Sequence, residues 1–158
     1  MEEILIETKI KAYAVAELPD ELKALAHLSF AATHGAYAPY SEFRVGAAVL
    51  LDNGVIVTGN NQENAAYPSG LCAERVALFY AGSHYPGLSV RAIAISAQTG
   101  GRQTERISPC GACRQVLLET ENRYQHPIQV LLCGQETVYI AESAASLLPL
   151  SFSGSDLK

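Results

Sequence analysis

Basic clusters are missing from these 158 residues: no Lys or Arg stands next to another, and the net charge is -5. A polyphosphate backbone would be repelled rather than steered onto such a chain, which argues against a nucleic-acid partner. Long apolar runs are missing from the N-terminus, MEEILIETKIKAY, which opens acidic and offers neither a secretory signal nor a membrane span. The cytoplasm is the expected compartment. Internal repeats and low-complexity segments are absent as well. A chain of this length is expected to form one domain over residues 1–158, burying about two thirds of its unfolded surface without a disulfide staple. The composition, 49% hydrophobic and 17% charged, argues against disorder, and its apolar surplus points to subunit contacts.

What is present is a regular alternation of patterns. Residues 1–16 alternate weakly at Ile4, Ile6, Thr8 and Ile10, which fits a strand and a flexible extension equally. From Asp20, the residues Leu22, Leu25, Ala26 and Ser29 recur at helical spacing and predict a helix bounded by Pro39. FRVGAAVLLDNGVIVTG, residues 43–59, is two β-rich runs around Asn53 and Gly54, a pair suited to the positive φ values of a tight hairpin turn. A helix is predicted over 72–81, stopped by Gly82, with VRAIAIS following as a buried strand. A further helix starts near Pro109, a residue suited to the first turn, and runs through Val116 and Leu117. IQVLLC and TVYIA then read as strands. This order predicts an α/β fold with one mixed sheet and helices on both faces.

Cysteines stand at 72, 110, 113 and 133. In a cytosolic chain such a set points to metal or catalysis rather than to bridges. SPCGACRQ, residues 108–115, puts Cys110 and Cys113 three apart at a helix start, so both sulfurs lie on one face within reach of a single ion. The partial positive charge of a helix N-terminus favours the thiolate form that metals bind. Cys72 begins the other helix and offers a third sulfur. Three protein ligands plus a replaceable water is the arrangement of a catalytic zinc site, whereas a structural zinc has four protein ligands. Cys133 reads as a small buried core residue. None of His27, His34, His84 and His126 has ligand spacing to another.

Cys110 and Cys113 alone also describe a thioredoxin-like dithiol, which is the competing reading. The combination of Cys-Ala-Glu at 72–74 with Pro-Cys-x-x-Cys at 109–113 is instead the signature of zinc deaminases, with Cys as the first ligand. Positions i and i+2 of a helix face different sides, so Cys72 and Glu74 meet at one site only if Cys72 is the cap or first residue.

With APYSEFRVGAAV at 38–49, NQENAAY at 61–67 and LLPLSF at 147–152 added to these motifs, the chain resembles the small tetrameric, three-cysteine branch of the cytidine deaminases over residues 20–155. The resemblance implies a three-layer α/β/α sandwich whose mixed sheet has about five strands. It implies Cys72, Cys110 and Cys113 as ligands of a Zn2+ ion and Glu74 as proton carrier. Phe43 would lie against the pyrimidine, Asn61 and Glu63 would bond the ribose hydroxyls, and the backbone of Ala73 would contact the base. Ala65, Tyr67 and Phe152 would enter a partner's pocket within a homotetramer.

The implied reaction is hydrolytic deamination of cytidine and deoxycytidine in pyrimidine salvage, with another aminopyrimidine nucleoside as the alternative substrate. Three thiolates around one divalent ion leave a net negative charge, so a positive neighbour is expected, with Arg75 donating to the sulfurs and Arg114 and Gln115 extending that role. A carboxylate at Glu63 disfavours phosphorylated substrates. The chain departs from the family pattern in its longer N-terminus and in the polar loop TGGRQTERI at 99–107.

Overall fold

The structure is a computed structural model and describes residues 1–157. Its centre is made by three apolar runs, which fold as β2 (Arg44–Leu51), β4 (Val90–Thr99) and β6 (Gln129–Cys133). Successive side chains of a strand point to opposite faces. Here both faces are covered, which is why the runs are apolar without alternation. On one face Ala47, Val49, Ile93, Ile95 and Val130 pack with α2 (Ala73–His84) and α3 (Gly111–Tyr124). On the other, Ala48, Leu50, Ala92, Ala94 and Leu131 pack with α1 (Asp20–Ala32). The predicted layering, helices on both sides of one mixed sheet, is therefore the observed one.

The sheet has seven strands rather than about five. Its main path is β1 (Lys11–Ala14), β7 (Thr137–Ala141), β6, β4, β2 and β3 (Ile56–Asn60). Only β4 and β6, joined through α3, run parallel. At the ambiguous N-terminus, residues 11–14 form a strand that pairs antiparallel with β7, Lys11 opposite Ile140, while residues 1–10 lie exposed outside the sheet. Strand formation follows the available ladder partner, not the alternation at Ile4 and Ile6. Thr8 donates to the Ser146 carbonyl at 2.9 Å and Lys11 pairs with Glu142 at 2.6 Å, tying the N-terminal segment to the residues that follow β7. The polar loop at 99–107 contains the seventh strand, β5 (Arg102–Gln103), which turns back on β4 through Gly100 and Gly101 at φ +55° and +75°.

Three element ends differ from expectation. α1 stops at Ala32, well before Pro39, where the Thr33 hydroxyl turns back to the Phe30 carbonyl and a 3-10 turn over Thr33–Gly35 follows. α2 runs through Gly82 to His84. Its stop is set by Pro86, whose ring pushes Tyr85 out of the helical region to φ -129° and ψ 57°. Pro109 precedes the cap of α3 instead of entering its first turn. In the β2–β3 hairpin only Gly54 has positive φ, +85°, and Asn53 accepts from the Val55 N–H instead.

Gly59 of β3 seats the helix that begins at Ala73. A Cβ there would lie 2.6 Å from the Ala77 nitrogen and 2.8 Å from the Ala73 oxygen, both backbone atoms of α2. Gly59→Ala must push the helix off the sheet, and it is expected to cost about 1–3 kcal/mol in urea unfolding. An unchanged unfolding midpoint would show that α2 has slack against β3.

Candidate metal centre and its cleft

Two helices begin side by side on one face of the sheet, and each is capped by a cysteine. Cys72 caps α2 at φ -73° and ψ 153°, and Cys110 caps α3 at φ -66° and ψ 167°. These extended caps let both side chains turn across the helix starts, and Cys113 joins them from the first turn of α3. The Sγ atoms of Cys72 and Cys110 are 3.8 Å apart, those of Cys110 and Cys113 are 3.5 Å apart, and all three lie within 4.8 Å of one another. A zinc ion holds each sulfur at about 2.3 Å, which in tetrahedral geometry separates the sulfurs by about 3.8 Å. The three residues thus fit one such ion. Cys72 stands in the cap position that its convergence with Glu74 requires.

Electrostatics favours a cation here. The hydrogen bond from Cys113 draws the Cys72 thiol down to about 5 against its own burial, with Arg75 and Cys110 assisting. Cys113 is pushed strongly upward by its bond to Cys72 and by burial. One thiolate forms readily, and further thiolates packed against it need a positive charge to compensate them. Arg75 supplies part of that charge: its Nη2 donates to Cys72 Sγ at 3.7 Å. Its Nε is buried with no acceptor among the described residues.

Arg114 and Gln115 do not reach the sulfurs. Arg114 directly follows Cys113, and adjacent helical residues diverge. It donates from Nε to the Pro109 carbonyl at 2.9 Å and from Nη1 to the Leu147 carbonyl at 3.0 Å, fixing the backbone that leads into the ligand loop. Gln115 donates to the Phe152 carbonyl at 2.8 Å, which pins the C-terminal segment to α3. Cys133, 1% exposed, sits on the opposite face of the sheet, where burial pushes its thiol up to about 11.

A cleft of about 610 Å³ opens beside the sulfurs, lined by Cys72, Glu74, Cys110, Phe43, Asn61 and Glu63 among others. Glu74 is 4% exposed, and burial raises its carboxyl above the ordinary range, toward the protonated form. Asn61 uses its amide to hold the neighbouring backbone: Oδ1 accepts from the Val45 N–H at 2.7 Å and Nδ2 donates to the Phe43 carbonyl at 3.0 Å. One amide N–H and one lone pair remain for a ligand. The Glu63 carboxyl is lowered by the Ser41 hydroxyl and by the Tyr40 N–H. Ala73 is fully buried as the first residue of α2, so its N–H has no acceptor inside the helix.

The residues expected to serve a partner divide. Tyr67, 78% exposed, lines the cleft of its own chain and packs edge-on against Tyr40, whereas Ala65 and Phe152 are exposed and do not line it. Lining residues that the sequence reading did not single out include Tyr40, Ser41, Leu71, Ile107 and Ser108. Tyr40 and Ser41 belong to the motif that carries Phe43, and Ser108 adjoins the cysteine motif.

The fold and the three-sulfur site define a zinc-binding α/β protein with a carboxyl group at the metal centre, built for hydrolytic chemistry. Residues 19–125 match the family model of the cytidine and deoxycytidylate deaminase zinc-binding region, and the chain belongs to that family. It is 45% identical over 123 residues to a cytidine deaminase of Sporosarcina psychrophila, spanning 77% of this chain and 84% of the relative. It is 40% identical over 135 residues to one from Halalkalibacterium halodurans, spanning 80% and 89%. The crystal structure of cytidine deaminase from Burkholderia pseudomallei superimposes with a TM-score of 0.70 at 41% identity, covering 82% of this chain and 97% of that one.

Proposed function

We propose that the chain hydrolyses cytidine and deoxycytidine to uridine and deoxyuridine, releasing ammonia, and so serves pyrimidine salvage. The observation that carries this reading is a single cleft lined by two of the three clustered sulfurs, by the buried carboxyl of Glu74, and by Phe43, Asn61 and Glu63. Cys72, Cys110 and Cys113 would hold zinc, which when bound would supply a water acidified from roughly 15.7 to about 7. Glu74 would take one proton from the attacking water and pass it to ring nitrogen 3 as the oxygen adds to carbon 4. It would then move the second proton of that oxygen to the amino group, which leaves as ammonia while carbon 4 becomes a carbonyl. Phe43 packs on the pyrimidine, the backbone of Ala73 meets the base, and Asn61 and Glu63 bond the sugar hydroxyls.

Arg75 offsets the negative charge of the three thiolates from its bond to Cys72. Arg75→Ala is therefore expected to weaken zinc binding about 10- to 100-fold and to slow turnover. Competition against a chromogenic chelator measures this, and equal affinity in the variant would remove Arg75 from the site's electrostatics.

Glu63 places a carboxylate beside the sugar, so the free nucleosides are the substrates and the 5′-monophosphate is not. Loss of absorbance on mixing with cytidine, deoxycytidine and cytidine monophosphate tests this. Preferred turnover of the monophosphate, or of another aminopyrimidine nucleoside, would overturn it. The enzyme works in the cytoplasm as a homotetramer, a state that exposed Tyr67, Phe79, Tyr80 and Phe152 support. Ala65 and Phe152 complete neighbouring pockets in that assembly, and Tyr67, at the exposed rim of its own cleft, reaches a neighbour's pocket from there. A monomer mass by sedimentation would contradict it.

A further inference from the structure

We infer that Ser41 is a positioning residue that couples recognition of the sugar by Glu63 to the placement of Phe43, an inference that rests on the nucleoside reading above. The hydroxyl of Ser41 donates to Glu63 Oε1, and Ser41 Oγ accepts from the Phe43 N–H at 3.0 Å. Glu63 Oε2 accepts from the N–H groups of Tyr40 at 2.9 Å and Ser41 at 3.3 Å. An ionised carboxylate offers about four acceptor sites. The turn at 40–41 fills three of them, both on Oε2 and one on Oε1. One site, on Oε1, is left for a ligand, so Glu63 accepts a single hydroxyl in an orientation that Ser41 fixes.

Phe43 is held by both of its peptide groups, at N–H by Ser41 and at C=O by the Asn61 amide. Of the two residues that read the sugar, Asn61 holds the Phe43 backbone directly and Glu63 is joined to it through Ser41. Among the described residues of this set, Ser41 is the one whose hydroxyl joins Glu63 to Phe43. With it in place, one atom ties the Oε1 end of Glu63 to the backbone of Phe43. Without it, Glu63 keeps only the two N–H groups on Oε2, its Oε1 is left to water, and the Phe43 N–H loses its acceptor.

The rest of the loop does not depend on this hydroxyl. Tyr37 N–H donates to the Asn61 carbonyl at 3.0 Å and Glu63 N–H to the Tyr37 carbonyl at 2.8 Å, so segments 37–45 and 61–63 remain joined. Ser41 itself is exposed, and its removal opens no cavity. The consequence is specific to the ligand: the loss falls on substrates whose sugar hydroxyl meets Glu63.

The test compares kcat/KM for cytidine and 3′-deoxycytidine in the zinc-loaded parent protein, Ser41→Ala and Ser41→Thr. Ser41→Ala is expected to lose roughly tenfold on cytidine, chiefly through KM, because a hydrogen bond that orders a charged acceptor is gone. The loss on 3′-deoxycytidine is smaller, so the preference for the hydroxyl-bearing substrate shrinks, while Ser41→Thr keeps both values near those of the parent. Equal losses on both substrates, or a threonine variant as poor as the alanine one, would overturn the inference. A parent protein inactive on cytidine would overturn the nucleoside reading itself and the inference with it, which separates the two failures.

Discussion

Glu74→Gln is expected to keep a full complement of zinc and to lose at least about 10³-fold in kcat, the upper part of the range for general acid–base groups. Glutamine matches the carboxyl in size and hydrogen-bonding reach, so it fits the space at the second position of α2, where Glu74 is 4% exposed. What it cannot do is carry a proton. In the proposed reaction the same carboxyl accepts a proton, protonates the ring and serves the leaving group, so its removal would cut several steps at once. Burial also holds the native carboxyl above its ordinary pKa, nearer the neutral working range, a property the amide lacks. Turnover followed by absorbance, with metal content measured on the same sample, checks the prediction. Substantial activity in a metal-replete variant would mean that another group moves the protons.

Cys113→Ala is expected to abolish zinc retention and turnover together, whereas Cys133→Ala leaves both intact. The two thiols are matched controls, since Cys113 is 0% and Cys133 1% exposed. Either truncation costs on the order of 1 kcal/mol of packing. Only Cys113 lies with the sulfurs of Cys72 and Cys110, and a site cut to two protein sulfurs loses the affinity that couples metal to folding. Metal analysis after dialysis distinguishes them. Zinc retained by Cys113→Ala at the parent's level would remove that residue from the ligand set.

How much of this was legible in the sequence follows from whether the deciding interaction is local. The cysteine motifs mark helix starts, and Cys72 and Cys110 are caps because the chemistry and the local backbone demand coincide there. Arg75 reaches Cys72 across three residues, a neighbour relation on a helix surface. The both-faces-buried strands announced themselves by unbroken apolar runs. Position in a ladder was not legible: nothing local in 11–14 says that β7 lies alongside, and the polar 99–107 loop hides a two-residue strand behind two glycines. The end of α2 is not set locally, because Pro86, one turn later, overrides the stop that Gly82 suggests. The Ser41–Glu63 clamp spans 22 residues and is invisible to spacing.

The account stands or falls on zinc held by three sulfurs beside a proton-carrying glutamate. The most direct measurement is metal content and cytidine turnover of the purified parent protein, before chelation, after it, and after zinc is restored. The account predicts zinc bound in proportion to chain, uridine and ammonia as products, loss of turnover with the metal and recovery on its return. A metal-free protein whose properties chelation leaves unchanged would contradict it and return Cys110 and Cys113 to a redox dithiol.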